Sequence, residues 1–481
     1  MGVLSNLEPK EVFHYFEELC KIPHPSYKEG KISDYCVSFA KKHNLEVYQD
    51  ELKNIIMIKE ATKGYENVEP IILQGHLDMV CEKEPDYEID FEQDGLTLLV
   101  EGDSITAKGT TLGGDDGIAV SYALAILASD TIAHPRLEVI FTVAEEVGME
   151  GAAGIDVSML KGRKLLNLDS EEEGYLLTSC AGGCSAECIL PVLWEEKTGT
   201  AIDITVTGLI GGHSGVEIDK GRANSNTLLG RILLESGNRT EYSIASLSGG
   251  AKDNAIPRDT KSRVLVDKKN AEDFITAIEI VAKAISAEFS TTDPDIKITA
   301  VNAGEVTEPV LSNEAGKKAL LLITQLPNGI QRMSADIEDL VETSLNLGVL
   351  TLTKERLSLR YALRSSVKTS KEYLFTKLKA LVEYLGGSIV CSGDYPAWEY
   401  KRDSKLREDM ITIYQKMYGK APVIQAIHAG LECGILSNKL PGLDCISFGP
   451  DMSGVHTVEE KLSISSTKRV WEYLLEVIQC K

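Results

Sequence analysis

Five short stretches of this chain carry residues of the kind that hold metal ions and move protons, and each follows an apolar run. His76 and Asp78 stand just after Ile71-Ile72-Leu73-Gln74. That position puts His76 at a strand end, where open α/β sheets place their ligand-binding loops, with Asp78 placed to orient or electrostatically tune the imidazole or to reach metal-bound solvent. Taken alone, His-x-Asp is weak, since a hydrogen-bonded loop histidine satisfies it equally well. The second stretch, Thr111 to Gly117 (TLGGDDG), precedes a very apolar helix. Its glycines permit a tight turn, and a carboxylate is favoured beside the free N–H groups of a helix start. Asp116 suits that capping role and leaves Asp115 free as a ligand.

Glu145 and Glu146 close the run LEVIFTVA. Adjacent carboxylates repel unless solvent or a cation neutralises them; beside a metal one can ligate while the other holds a proton, and the residues alone do not say which. Asp169 follows KLLNL, and His456 lies in a glycine-containing loop after LDCISF. Aspartate, glutamate and neutral imidazole are the ligands of catalytic zinc, and they also accept manganese or cobalt. Five such anchors at strand-following positions point to a metal-dependent hydrolase far more strongly than any one of them.

The elements that must position these residues read as an α/β layer. Short apolar strands (54–58, 70–73, 137–143 and 164–168) alternate with helices (9–19, 28–42 and 117–128), which predicts a mixed sheet with helices on both faces. From about residue 187 the grammar changes. Between 201 and 391 the order strand, helix, strand, strand, helix occurs twice, predicting an inserted α+β domain of two similar halves. The catalytic, metal-binding domain is thus expected over residues 1–186 and 399–481, with 187–398 inserted. A cleft between domains is the default place for a small ligand.

Composition narrows the function. At 481 residues, with 43% hydrophobic and 26% charged residues, the chain has ample core for more than one domain. A net charge of −23, from 73 acidic and 50 basic residues, repels nucleic acid and anionic membrane surfaces. No cationic segment followed by an apolar run opens the chain, and no apolar stretch approaches the length needed to span a bilayer. Ten scattered cysteines suit a reducing compartment, so a cytoplasmic location is expected. Cys180, Cys184 and Cys188 lack the paired spacing of structural zinc hooks.

Taken together, HLDMV, GGDDG, AEEVGMEGA, NLDSEE and GVHT make the sequence resemble the M20 family of metallopeptidases along essentially its whole length, most closely its dipeptidase branch. The resemblance implies two divalent ions, zinc first and manganese or cobalt as substitutes, held by His76, Asp115, Glu146, Asp169 and His456. Asp115 would be shared, His76 would sit with Glu146 and Asp169 with His456. It further implies Glu145 as general base and Asp78 as the acid supporting His76. The inserted segment resembles the family's lid: His213 in GGHSG is implied to reach the reacting carbonyl, and Asn254 and Arg364 to hold the substrate. His428 in HAGLECG is implied as a recognition residue of the catalytic domain. The expected activity is hydrolysis of dipeptides, Xaa-His among them, by a monomer or homodimer. Its rivals are hydrolysis of N-acyl amino acids and a non-catalytic peptide-binding module.

Overall fold

The protein is described from a computed structural model covering residues 2–481. Its chain folds as two units. The first comprises residues 2–179, Tyr400–Ala426 and Leu431–Lys481, and the second Cys180–Glu399 with Ile427–Gly430.

An eight-stranded sheet centres the first unit, in the order Glu46–Gln49, Ile55–Lys59, Leu137–Thr142, Ile71–His76, Lys164–Asn167, Asp444–Ser447, Tyr175–Cys180, Val423–Ile427. Its middle is parallel: Ile71–His76 runs alongside both Leu137–Thr142 and Lys164–Asn167, and Asp444–Ser447 runs parallel to Lys164–Asn167. Towards one edge the pairing turns antiparallel, so the sheet is mixed. The two central strands are buried along their whole length, which explains why they read as unbroken apolar runs and not as alternating ones.

The helix Gly114–Ala128 is apolar on every side and buried on nearly all of them, as a helix caught between a sheet and other helices must be. Tyr122, near its middle, stacks on Trp471 with ring centroids 6.0 Å apart and donates its hydroxyl to the Thr467 carbonyl at 2.8 Å. Asp115 (φ −82°, ψ 106°) and Asp116 (φ −117°, ψ 29°) are not helical, so the regular turns begin at about Gly117, where the sequence places the helix start. Among the described residues no helix is long and apolar enough to cross a membrane.

The second unit is built on an antiparallel sheet in the order Lys297–Leu311, Trp194–Thr207, Thr260–Val266, Tyr242–Gly249, Val341–Leu352, Arg356–Ser365, Gly182–Pro191, Ser388–Tyr395, with Gly329–Met333 also paired to Val341–Leu352. Alternate residues such as Ile202, Ile204, Val264, Leu345, Leu359 and Leu363 form one apolar face. That face is covered by the helices Ser225–Gly237, Ala271–Glu288, Asn313–Gln325 and Lys368–Tyr384. The order strand, helix, strand, strand, helix recurs as expected, and the two halves meet where Ser248 and Gly249 pair with Thr351 and Leu350.

Two boundaries differ from expectation. The strand Gly182–Pro191 runs through the anticipated break at 186/187, because its cysteines and alanine pack into the second unit's core. The short piece Ile427–Gly430 also joins that unit: the Ala181 N–H donates to the carbonyls of Ile427 and Ala429.

Candidate functional site

Strand register brings the first group of residues together. Gln74 and Asn167 are opposed on neighbouring parallel strands, so His76 and Asp169, each two residues further on, leave the sheet side by side, His76 Nε2 lying 3.9 Å from Asp169 Oδ1. Asp115 fills the space between two imidazoles. Its Oδ1 lies 3.0 Å from His76 Nε2 and its Oδ2 3.2 Å from His456 Nε2. Glu146 reaches His456 from the other side, with Oε1 at 2.9 Å from Nε2. The nearest contacts therefore pair His76 with Asp169 and His456 with Glu146, the reverse of the expected pairing. The reason is local: Asp169 follows its strand immediately, whereas Glu146 sits four residues beyond Thr142, on a loop long enough to reach the His456 segment.

Each histidine presents one ring nitrogen to the cluster. His76 Nδ1 is 3.0 Å from the Asp78 carbonyl oxygen, which assigns the proton to Nδ1 and leaves Nε2 as the inward donor atom. The Asp78 carboxylate in turn accepts from Ser26 Oγ at 2.8 Å and from the backbone N–H groups of Glu145 and Glu146 at 3.0 and 3.3 Å. One buried acid thereby fixes the histidine loop and both glutamates.

The electrostatics describe a cluster short of positive charge. Burial, then Asp116 and Asp115, push the Asp169 carboxyl well above the ordinary range. Hydrogen bonds to the Asp115 and Glu146 carboxylates raise His456 to about 10. His76 is raised well above its usual value even though burial works against its charge. Burial, with Glu146 and Asp115 nearby, lifts Glu145 to about 7 and outweighs the opposing pull of His76. Protons here occupy places that cations would take. The donor sets within reach of one another are Asp115 with Glu146 and His456, His76 with Asp116 and Asp169, and His76 with Glu145 and Glu146. Hard carboxylate oxygens with imidazole nitrogens match zinc, manganese and cobalt.

Asp116 departs from its expected role. It does not cap the helix; its Oδ2 accepts the His76 N–H at 3.1 Å, and its Oδ1 is buried without a partner among the described residues. The N–H groups of Leu112, Gly113 and Gly114, in the turn before the helix, go to Glu460, for which the local sequence suggests no role. Its only signal there was its place four residues after His456.

The remaining expected residues gather in the second unit. His213 lies on the short strand Gly212–His213, and its Nδ1 accepts from the N–H groups of Gly215 and Val216, both at 3.2 Å. The ring proton therefore resides on Nε2. Burial and the Arg364 charge lower its pKa, keeping it neutral. Arg364 is 9% exposed; its Nη1 donates to Tyr395 Oη at 3.0 Å, and its Nε has no partner among the described residues. His428 Nε2 lies 2.7 Å from Ser344 Oγ, and burial with Arg364 lowers the ring to about 3. A β-carbon on Gly215 would lie 2.6 Å from the His428 carbonyl oxygen, 2.9 Å from His213 Cε1 and 3.1 Å from Arg364 Nε, so the last glycine of GGHSG lets three predicted groups converge. His428 thus groups with the second unit, held there by Ser344 and Ala181. Asn254 has an exposed side chain, and its carbonyl accepts the Ser214 N–H at 2.9 Å. Cys184, Cys391 and Asp394 also lie close together, but Lys371 donates to Asp394 at 2.7 Å and already supplies their positive charge.

The chain is a peptide hydrolase. More particularly, it belongs to peptidase family M20/M25/M40, whose profile matches residues 72–479. It is 34% identical over 481 residues to the cytosol non-specific dipeptidase of Escherichia coli (strain K12), covering 100% of this chain and 99% of that protein. Its fold superposes on the aminoacylhistidine dipeptidase from Vibrio alginolyticus with a TM-score of 0.92, at 34% identity, covering 99% of this chain and 97% of the other. Aminopeptidase PepT from Bacillus cereus ATCC 10987 shares the fold at a TM-score of 0.56 and 15% identity, over 98% of each chain.

Proposed function

We propose that this peptide hydrolase is a cytoplasmic, metal-dependent dipeptidase whose substrates include Xaa-His dipeptides. Two divalent ions, zinc first and manganese or cobalt as substitutes, would be held by His76, Asp115, Glu146, Asp169 and His456. The observation that carries the reading is Asp115, which turns one carboxylate oxygen to each of two histidines, 3.0 and 3.2 Å away. Full-length similarity to two named dipeptidases supports the substrate class.

When bound, such ions supply Lewis acidity that polarises a peptide carbonyl and eases deprotonation of water. Glu145 takes a proton from the attacking water on its carboxylate and passes it to the departing amine nitrogen. A carboxyl raised to about 7 suits both halves of that task near neutral pH. Asp78 holds Glu145 and the His76 ring in register. His213, neutral and protonated on Nε2, donates to the carbonyl oxygen as it becomes negative. Arg364 receives the substrate carboxylate, for which a guanidinium has the matching planar geometry and an unpaired Nε, while Asn254 and His428 hold the rest of the peptide. In this reading the inserted unit is a lid that admits two residues and excludes longer chains, and the protein acts as a monomer or homodimer.

The test is metal stoichiometry together with kcat/KM across a panel of dipeptides, tripeptides and N-acetyl amino acids. Two ions per chain and preference for dipeptides are expected. Faster turnover of N-acetyl amino acids would reject the substrate assignment, and full activity after exhaustive chelation would reject the metals.

A further inference from the structure

Glu460 lies outside the set of residues assigned above, yet it touches the loop that carries Asp115 and belongs to the loop that carries His456. It is 3% exposed. Its Oε2 accepts the N–H groups of Leu112 and Gly113 at 2.8 and 3.2 Å, and its Oε1 accepts that of Gly114 at 2.8 Å. Three consecutive backbone donors converge on one carboxylate, an arrangement that Gly113 makes possible by adopting a left-handed conformation, φ 67°, so that successive N–H groups form a concave anion seat. Asp115 is the next residue after this seat.

On its own side Glu460 is joined to His456 by a short, internally bonded turn. The Thr457 N–H donates to the Gly454 carbonyl at 3.0 Å, the Glu460 N–H to the Thr457 carbonyl at 3.2 Å, and the Glu459 N–H to Thr457 Oγ1 at 3.2 Å. His456 itself holds φ 63°, a conformation that costs a side-chain-bearing residue energy and persists only where its surroundings impose it. With the turn stiff and the carboxylate seated, the separation of His456 from Asp115 is set by the protein.

We infer that Glu460 is a positioning residue that locks the Asp115 and His456 loops to each other, so that the shared carboxylate and the last imidazole present a preformed cation site. The inference rests on the metal-dependent reading above. Outer partners of this kind typically change metal affinity by about 10- to 100-fold when removed.

Calorimetric titration of chelator-stripped protein with Zn2+ tests it, alongside thermal melts of the metal-free forms and steady-state kinetics. Wild type is expected to bind two ions. Glu460→Gln removes one acceptor oxygen and should weaken at least one ion by about 10- to 100-fold, lower kcat, and leave KM within about threefold while the metal-free protein still melts cooperatively. Glu459→Gln, an exposed neighbour, should behave as wild type. Should Glu460→Gln fail to fold, Glu460→Asp, which keeps the charge but shortens the reach to the three N–H groups, should show the same weakening. Unchanged affinity for both ions in either variant overturns the tether. A wild-type chain that takes up no ion overturns the metal reading itself, a result distinguishable from the first.

Discussion

At the scale of single residues, the two glutamates that end one strand differ only in what surrounds them. Glu146 points at His456, while Glu145 is buried among like charges and lifted to about 7. Glu145→Gln should therefore keep both ions and reduce kcat by roughly 10²- to 10⁴-fold, checked by metal analysis and steady-state rates on one dipeptide. On the proposed mechanism, His213→Ala removes a donor to the developing negative charge. It should cost about 10²- to 10³-fold in kcat with a much smaller change in KM; an unaltered kcat would take His213 out of the reaction. These positions were readable in the sequence because each stands beside a glycine turn or at the end of an apolar run. Asp116 and Glu460 were not. Their partners lie 40 and 346 residues away, and whether a carboxylate caps its own helix or braces a distant backbone depends on tertiary contacts that no local pattern encodes.

Elements decide how firmly these groups are held. Gly215 is where His213, Arg364 and His428 crowd one backbone position, and Gly215→Ala should raise KM by displacing these three groups while leaving the circular dichroism spectrum intact. In the first unit, Glu432 opens the helix Glu432–Lys439 and reaches beneath the central strand, accepting from Gln74 Nε2 at 2.5 Å and Thr142 Oγ1 at 2.6 Å. Burial, with the Glu145 charge, pushes its carboxyl up to about 8 from an ordinary 4.5. The folded state then binds this proton more tightly than the unfolded state does. The group's contribution to stability is complete below about pH 4.5 and is lost as pH rises to about 8. Glu432→Gln should flatten that part of the stability profile of the metal-free protein, measured as urea midpoints at pH 5 and pH 8; an unchanged difference would mean that the carboxyl is not proton-bearing.

Element order was the most legible part of the fold. Buried parallel strands announce themselves as unbroken runs, and the repeated order of the second unit survived translation from sequence to structure. Gly182–Pro191 was harder to see, since cysteine, glycine and alanine form a strand there only because a sheet edge and a helix receive them. For the same reason it is strand register, and not spacing along the chain, that brings Asp169 beside His76.

Across the whole molecule, a buried set of carboxylates with two protonated histidines is a poor resting state. Ions that bind only the folded chain stabilise it by about 4 kcal/mol per site at a free concentration 1,000 times the Kd. Chelation should lower the melting temperature and re-addition of Zn2+ should restore it, with calorimetry as the measure. No shift on chelation would argue that the acids are balanced by protons alone.

The excursion of Ile427–Gly430 into the second unit has a consequence for heredity. A gene segment spanning residues 180–399 would carry His213, Asn254 and Arg364 into another backbone but leave His428 behind. Exchanges of this unit between relatives should succeed only when a second, four-codon patch travels with the first, which makes two separate replacements, each with two crossovers, where a contiguous domain would need one.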